Sequence, residues 1–178
     1  EATFNPNGLL NGARSITIVG TYAYICCDAG LAVLSLEDPK CPKVETILGH
    51  AVFDEPRAMQ AQFRYGFVCD RRGITVLDMT DLAHPVPRAM LPLRDARNIY
   101  LARTYAYVAA GMQGLVILDI TNPENTFVDQ VFNAGGCIND LNDVKLGITY
   151  VSEFAYLADG ANGLRVVLSP EHSAPTVT

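Results

Sequence analysis

The sequence is poor in positive charge: 13 Lys and Arg stand against 19 Asp and Glu, a net charge of −6, with no basic run. A nucleic-acid binder needs a positive electrostatic footprint, so that class is excluded. Long apolar runs are also lacking, and the stretch Gly114-Leu115-Val116-Ile117-Leu118 is among the longest. Such runs fall far short of the roughly 18 residues that a membrane-spanning helix requires. Histidines number three, His50, His84 and His172, each beside turn residues. They read as solvated loop side chains, or as ligands offered to a neighbouring haem or metal. The five cysteines, Cys26, Cys27, Cys41, Cys69 and Cys137, form neither Cys-x-x-Cys nor Cys-x-x-Cys-His. Zinc ribbons and c-type haem attachment are thereby excluded. Gly-x-Ser-x-Gly, His-Glu-x-x-His and phosphate-loop motifs are missing too, so no catalytic signature supports an enzyme.

What is present is an apolar share of 49% against 18% charged in 178 residues, which excludes wholesale disorder and allows a sizeable core. The chain opens at Glu1 and ends in the turn formers Ser169 to Pro175, so it reads as processed or as a piece of something longer. Internal repetition organises it. Four segments run aromatic, short turn, Gly-apolar, alternating apolar: Tyr24 to Leu34, Phe67 to Leu77, Tyr107 to Leu118 and Tyr156 to Val167. Their anchors Gly30, Gly73, Gly114 and Gly163 lie roughly 41 to 49 residues apart. Each unit reads as a hairpin of two β-rich runs, preceded by an inner strand at Ser15–Val19, Ala58–Gln62, Asn98–Ala102 or Asp143–Leu146. An outer strand follows at Lys43–Ile47, Pro87–Leu91 and Phe127–Val131, and is barely present after Pro170. Four strands per unit of this length is a β-propeller blade. We therefore expect an all-β propeller domain or segment over 1–178, with blades at 13–54, 55–94, 95–136 and 137–178.

The third unit, Ala106-Tyr107-Val108-Ala109-Ala110-Gly111-Met112-Gln113-Gly114-Leu115-Val116-Ile117-Leu118-Asp119-Ile120-Thr121-Asn122-Pro123, resembles the LVIVD repeat of bacterial and archaeal propellers. The other units depart from it. The second keeps Asp78 but has Leu82 in place of Pro, and Ser35 and Leu168 replace the Asp in the first and fourth. The resemblance covers roughly residues 13–170 and is specific for fold, far less so for function. It implies an extracytoplasmic, often surface-exposed protein, and relatives that accompany multihaem cytochromes. Such propellers more often carry six to eight blades. Four therefore read as part of a larger ring, completed by a longer parent chain or a partner, or else as a rare four-bladed ring.

Two places carry candidate chemistry. Arg14, Arg57 and Arg97 each precede a blade aromatic by ten residues and so share one position at the start of the inner strand, near the channel mouth. Three guanidiniums there suit an anionic ligand or carboxylate-rich partner. They equally suit pairing with an acid such as Asp78 or Asp119 that holds blade register. The fourth unit breaks the pattern, with Asp143 or a neighbour at that place. There Asn139, Asp140, Asn142 and Asp143 gather four oxygen-bearing side chains, a donor set for Ca²⁺ or an Asx turn at a strand entrance. The function read from these residues is a non-catalytic scaffold or protein-docking module outside the cytoplasm. Any haem would come only through a partner such as a multihaem cytochrome. The alternatives are a small-ligand binder or enzyme working at the channel mouth, and a structural subunit of a surface layer or filament.

Overall fold

The alternating Val, Ile, Leu and Tyr runs form strands wherever Gly, Asp, Asn or Pro ends them. The computed structural model describes residues 3–148, 153–168 and 176–177. Every sheet is a four-stranded antiparallel meander. The first contains β1 (Ser15–Val19), β2 (Tyr22–Cys27), β3 (Gly30–Ser35) and β4 (Lys43–Leu48). The second contains β5 (Ala58–Gln62), β6 (Tyr65–Cys69), β7 (Gly73–Asp78) and β8 (Val86–Pro92). In the third are β9 (Asn98–Ala102), β10 (Tyr105–Ala109), β11 (Leu115–Asp119) and β12 (Phe127–Phe132). The fourth has β13 (Asp143–Ile148), β14 (Glu153–Ala158), β15 (Leu164–Leu168) and the two-residue β16 (Thr176–Val177). The fourth inner strand thus runs two residues beyond the expected Leu146. Most of the stretch 148–153, which the fourth unit carries in addition before its hairpin, lies outside the described residues. Short 3₁₀ turns are the only helical elements among the described residues.

The chain divides into two compact units, Glu1–Pro92 and Leu93–Thr178. In the first, the inner strands β1 and β5 lie side by side. One core joins Tyr24, Cys26, Leu31 and Val33 of the first blade to Met59, Val68, Leu77 and Met79 of the second. Thr17 Oγ1 donates to the Met59 carbonyl at 2.6 Å, and the buried Tyr24 hydroxyl donates to the Leu82 carbonyl at 2.6 Å. These bonds satisfy polar atoms that would otherwise cost free energy in an apolar seam. On its other face the first blade buries Ala23, Cys27, Ala32 and Leu34 beneath Phe4 and Leu10 of the N-terminal arm.

In the second unit β9 and β13 are neighbours. Their blades share a core of Tyr107, Ala109, Leu115 and Ile117 with Val144, Ala155, Leu157 and Val167. A bridge between Gly111 and Leu141, with reciprocal N–H···O bonds of 3.1 Å, ties the third hairpin to the loop entering the fourth blade. The β3–β4, β7–β8 and β11–β12 pairs all shift register at one equivalent place, next to Leu34, Leu77 and Leu118. Such a bulge increases local twist and turns the outer strand.

Candidate functional site

The three arginines occupy one structural position. Each stands one residue before its inner strand, and its backbone N–H donates at 2.8 Å to a carbonyl at the end of the next strand: Arg14 to Cys26, Arg57 to Cys69, Arg97 to Ala109. In the fourth blade the same bond runs from Asn142 to Ala158 at 2.8 Å, so Asn142 is the counterpart of the arginines.

The side chains of Arg14 and Arg97 turn to carboxylates at the same end of their sheets. Arg14 Nη2 lies 2.7 Å from Asp28 Oδ1, and its Nη1 donates to the Gly12 carbonyl at 3.1 Å. Arg97 donates from Nε to Asp95 Oδ2 at 3.0 Å, and from Nη1 to Asp140 Oδ1 at 2.6 Å and Asn142 Oδ1 at 2.8 Å. Asp95 first, then Asp140, raises the Arg97 pKa above its already high ordinary value. The two candidate places of the second unit therefore merge, because Arg97 is bound to the oxygens of the Asn139–Asp143 loop.

The expected partners Asp78 and Asp119 are engaged elsewhere. Asp78 accepts from the Thr80 N–H and Oγ1 and from Arg88, and Asp119 accepts from the Thr121 N–H at 2.8 Å. The reason is strand length. Both aspartates end their strands opposite Tyr65 and Tyr105, so a whole strand separates them from the arginine end. Within the loop, Asp143 accepts from the Val144 N–H and from Lys145 Nζ. Asn139 Oδ1 accepts from Asn162 Nδ2 at 3.0 Å. A Ca²⁺ ion would compete with the Arg97 guanidinium for Asp140 and Asn142. Among the described residues no three His, Cys, Asp or Glu side chains come together as a metal site.

Two groups escaped the sequence reading: Asp70 and Asp159, both fully buried. They stand at the same place, directly after the carbonyl that each inner-strand entrance uses. Asp70 accepts from the Arg72 and Gly73 N–H groups at 2.8 and 2.9 Å and from the Asp54 N–H at 3.0 Å. Asp159 accepts from the Asn139 and Asp140 N–H groups at 3.2 and 2.9 Å, and from Asn162 Nδ2 at 3.0 Å. Each carboxylate staples the loop entering a blade to that blade's own hairpin. The available signal was Asp before the turn in two of four units, at a position held by Cys27 and Ala110 in the others.

The cysteines divide by exposure. Cys26, Cys27 and Cys69 are buried free thiols, and Cys41 and Cys137 are exposed. Burial pushes the Cys26 thiol up to about 11 and Cys69 well above its usual range, so both are protonated, unreactive core fillers at neutral pH. An open groove beside β8, lined by Val52, Arg72, Thr75, Pro87, Arg88 and Met90, offers two more guanidiniums. Arg72 is bound to Asp70 and the Val52 carbonyl, and Arg88 to Asp78.

The LVIVD repeat matches this chain over residues 12–42, 93–127 and 149–175. The chain belongs to the LVIVD-repeat family. The unmatched stretch holds the second blade, where Leu82 replaces the motif's proline. Among curated proteins none matches in sequence. Similar solved structures are apo AztD from Citrobacter koseri, at 12% identity over 92% of this chain and 47% of that one with a TM-score of 0.55, and the N-terminal domain of Nup159, at 9% identity over 94% and 48% with a TM-score of 0.56. A chain of the S. cerevisiae complex of Dbp5, Nup159 and Gle1 with IP6 and ADP aligns at 9% identity over 94% and 47%, TM-score 0.58. At such identities the likeness shows the fold alone, a β-propeller. This LVIVD-repeat chain spans about half the length of those chains, 47% of AztD.

Proposed function

We propose that this LVIVD-repeat chain is a non-catalytic β-propeller module that docks another protein outside the cytoplasm. The observation that carries this reading is the commitment of Arg14 and Arg97 to carboxylates of their own chain. Guanidiniums neutralised in this way hold entrance loops in place, and little positive charge is left for an anionic ligand. The family resemblance supports an extracytoplasmic setting and a multihaem cytochrome as the partner to test first.

Arg97→Ala separates the scaffold role from a ligand role. On the scaffold reading it leaves Asp95, Asp140 and Asn142 without their common donor and lowers unfolding free energy by about 2 kcal/mol. The immobilised variant, below its melting temperature, still retains the partner from a cell extract, read by the haem Soret band. A variant that melts like the wild-type chain but loses the partner reverses the assignment and makes Arg97 a binding residue.

A further inference from the structure

Within each unit the same repeat positions make the contact between blades. Register equates Tyr24, Cys26, Leu31 and Val33 with Tyr107, Ala109, Leu115 and Ile117, and both sets are buried against the blade that follows. The fourth blade has the same pairing, Tyr156 with Val166 and Ala158 with Leu164. Here the face is open: Tyr156 is 42% and Leu164 70% exposed, where Leu31 and Leu115 are at 0%. Side chains that fill a dry seam twice in this molecule stand in solvent the third time, as an apolar patch does when it serves for docking.

The inner-strand part of the complementary half of such a seam is also exposed. Met59 and Val144 are the inner-strand residues that receive Tyr24 and Tyr107 into a common core. Their counterpart in the first blade is Ile16, paired with Ile25 as Met59 is with Val68 and Val144 with Leu157. Ile16 is 63% exposed and its strand neighbour Ile18 54%, whereas Met59 and Val144 are buried. The rest of that face lies under Phe4 and Leu10, so Ile16, Ile18 and the arm form the receiving surface.

We propose that the open face of the fourth blade binds the first blade of a second copy of this chain, head to tail, with Tyr156 seated on Ile16 of that copy. One chain carries both halves of the seam, so a second copy is the partner that needs no further surface. The solved chains of this fold are about twice as long, this chain covering 47% of AztD and 48% of the Nup159 domain, so the fold accommodates a second set of blades beside one of this size. The contact is heterologous, using different patches on the two molecules. It goes beyond the docking of a different protein and stands on blade register alone. The mass of the purified chain by itself decides it, without reference to that partner.

The experiment is sedimentation equilibrium of the wild-type chain, Leu164→Glu and Ile16→Glu across concentration, with thermal melts as a folding control. Both positions are exposed, so the melts should stay unchanged; Tyr156→Lys and Ile18→Lys replace any variant that misfolds. The wild-type mass is expected to rise with concentration, and each variant to self-associate about tenfold or more weakly, because a carboxylate is buried in the seam. An equimolar mixture of the two variants should regain a dimer, since it retains one intact pairing, the Leu164 face of one variant on Ile16 of the other. A wild-type chain that stays monomeric throughout overturns the proposal. So does weakening by only one variant, or a mixture that fails to recover.

Discussion

At the scale of single residues, the buried aspartates separate structural charge from surface charge. Asp70 accepts three backbone N–H groups in a site closed to water, whereas Asp28 meets Arg14 largely in solvent. An unsatisfied buried donor costs about 1–3 kcal/mol, while an exposed ion pair contributes about 0–1 kcal/mol. Asp70→Asn sets an amide against a cluster of donors, so it should lower unfolding free energy by about 3 kcal/mol in urea titration. Asp28→Asn should change it by less than about 1 kcal/mol. Equal effects of the two would contradict the staple role. Sequence reading reached Arg14, Arg57 and Arg97 because a fixed offset from an aromatic is a local pattern. It did not reach the Arg97–Asp140 pair, whose members are 43 residues apart. Nor did it reach Asp70, whose acceptor role exists only once the hairpin has closed.

At the scale of elements, the hairpin glycines share a sequence position and differ in what surrounds them. Gly30 has φ +122°, and a Cβ there would lie 2.1 Å from the Leu48 carbonyl oxygen on the neighbouring strand. Gly163 has φ +76° and, among the described residues, nothing within 4 Å of its would-be Cβ. Gly163→Ala should therefore cost about 1 kcal/mol, the price of a left-handed backbone for alanine. Gly30→Ala should cost several times more, because β3 and β4 must separate. Thermal unfolding of the two variants checks the ranking, and similar shifts would count against it. Strand positions were legible in advance, since period-2 alternation and turn residues are local signals: β1, β5 and β9 appear at the expected bounds. The bulge beside Leu34, Leu77 and Leu118 was not legible, because it depends on how an outer strand follows the twist of the sheet beneath it.

For the whole molecule, ionisable groups in the first unit set the pH range of stability. Burial is the main cause that lifts the Cys26 thiol from 9.0 to about 11, Cys69 well above 9.0, and the Tyr24 phenol from 10.0 to about 12. The unfolded chain releases these protons first. Their contribution is thus complete below pH 9 and is lost as pH rises towards the folded values. On the acid side, hydrogen bonds from Thr80 lower the Asp78 pKa and those from His84 lower that of Asp81, so their contributions fade as pH falls below 3.8. Asp81 is exposed and screened and Asp78 is largely covered. These two carboxylates stand against three buried groups on the alkaline side, so the alkaline limb should be the steeper one. The urea midpoint measured against pH should hold near neutrality and decline steeply above pH 9; a flat alkaline limb would argue against a protonated core.

The sequence by itself determined the architecture: four repeats, their strands, their turn glycines and the aromatic of each blade. Those features rest on neighbours in the chain, so periodicity exposes them. Tertiary structure alone decided which acids hold the arginines, which aspartates are sealed from water, and which blade faces stay open. Identical repeat positions carry Leu31, Leu115 and Leu164; a neighbouring blade packed on the first two makes them core, while Leu164 stands 70% exposed.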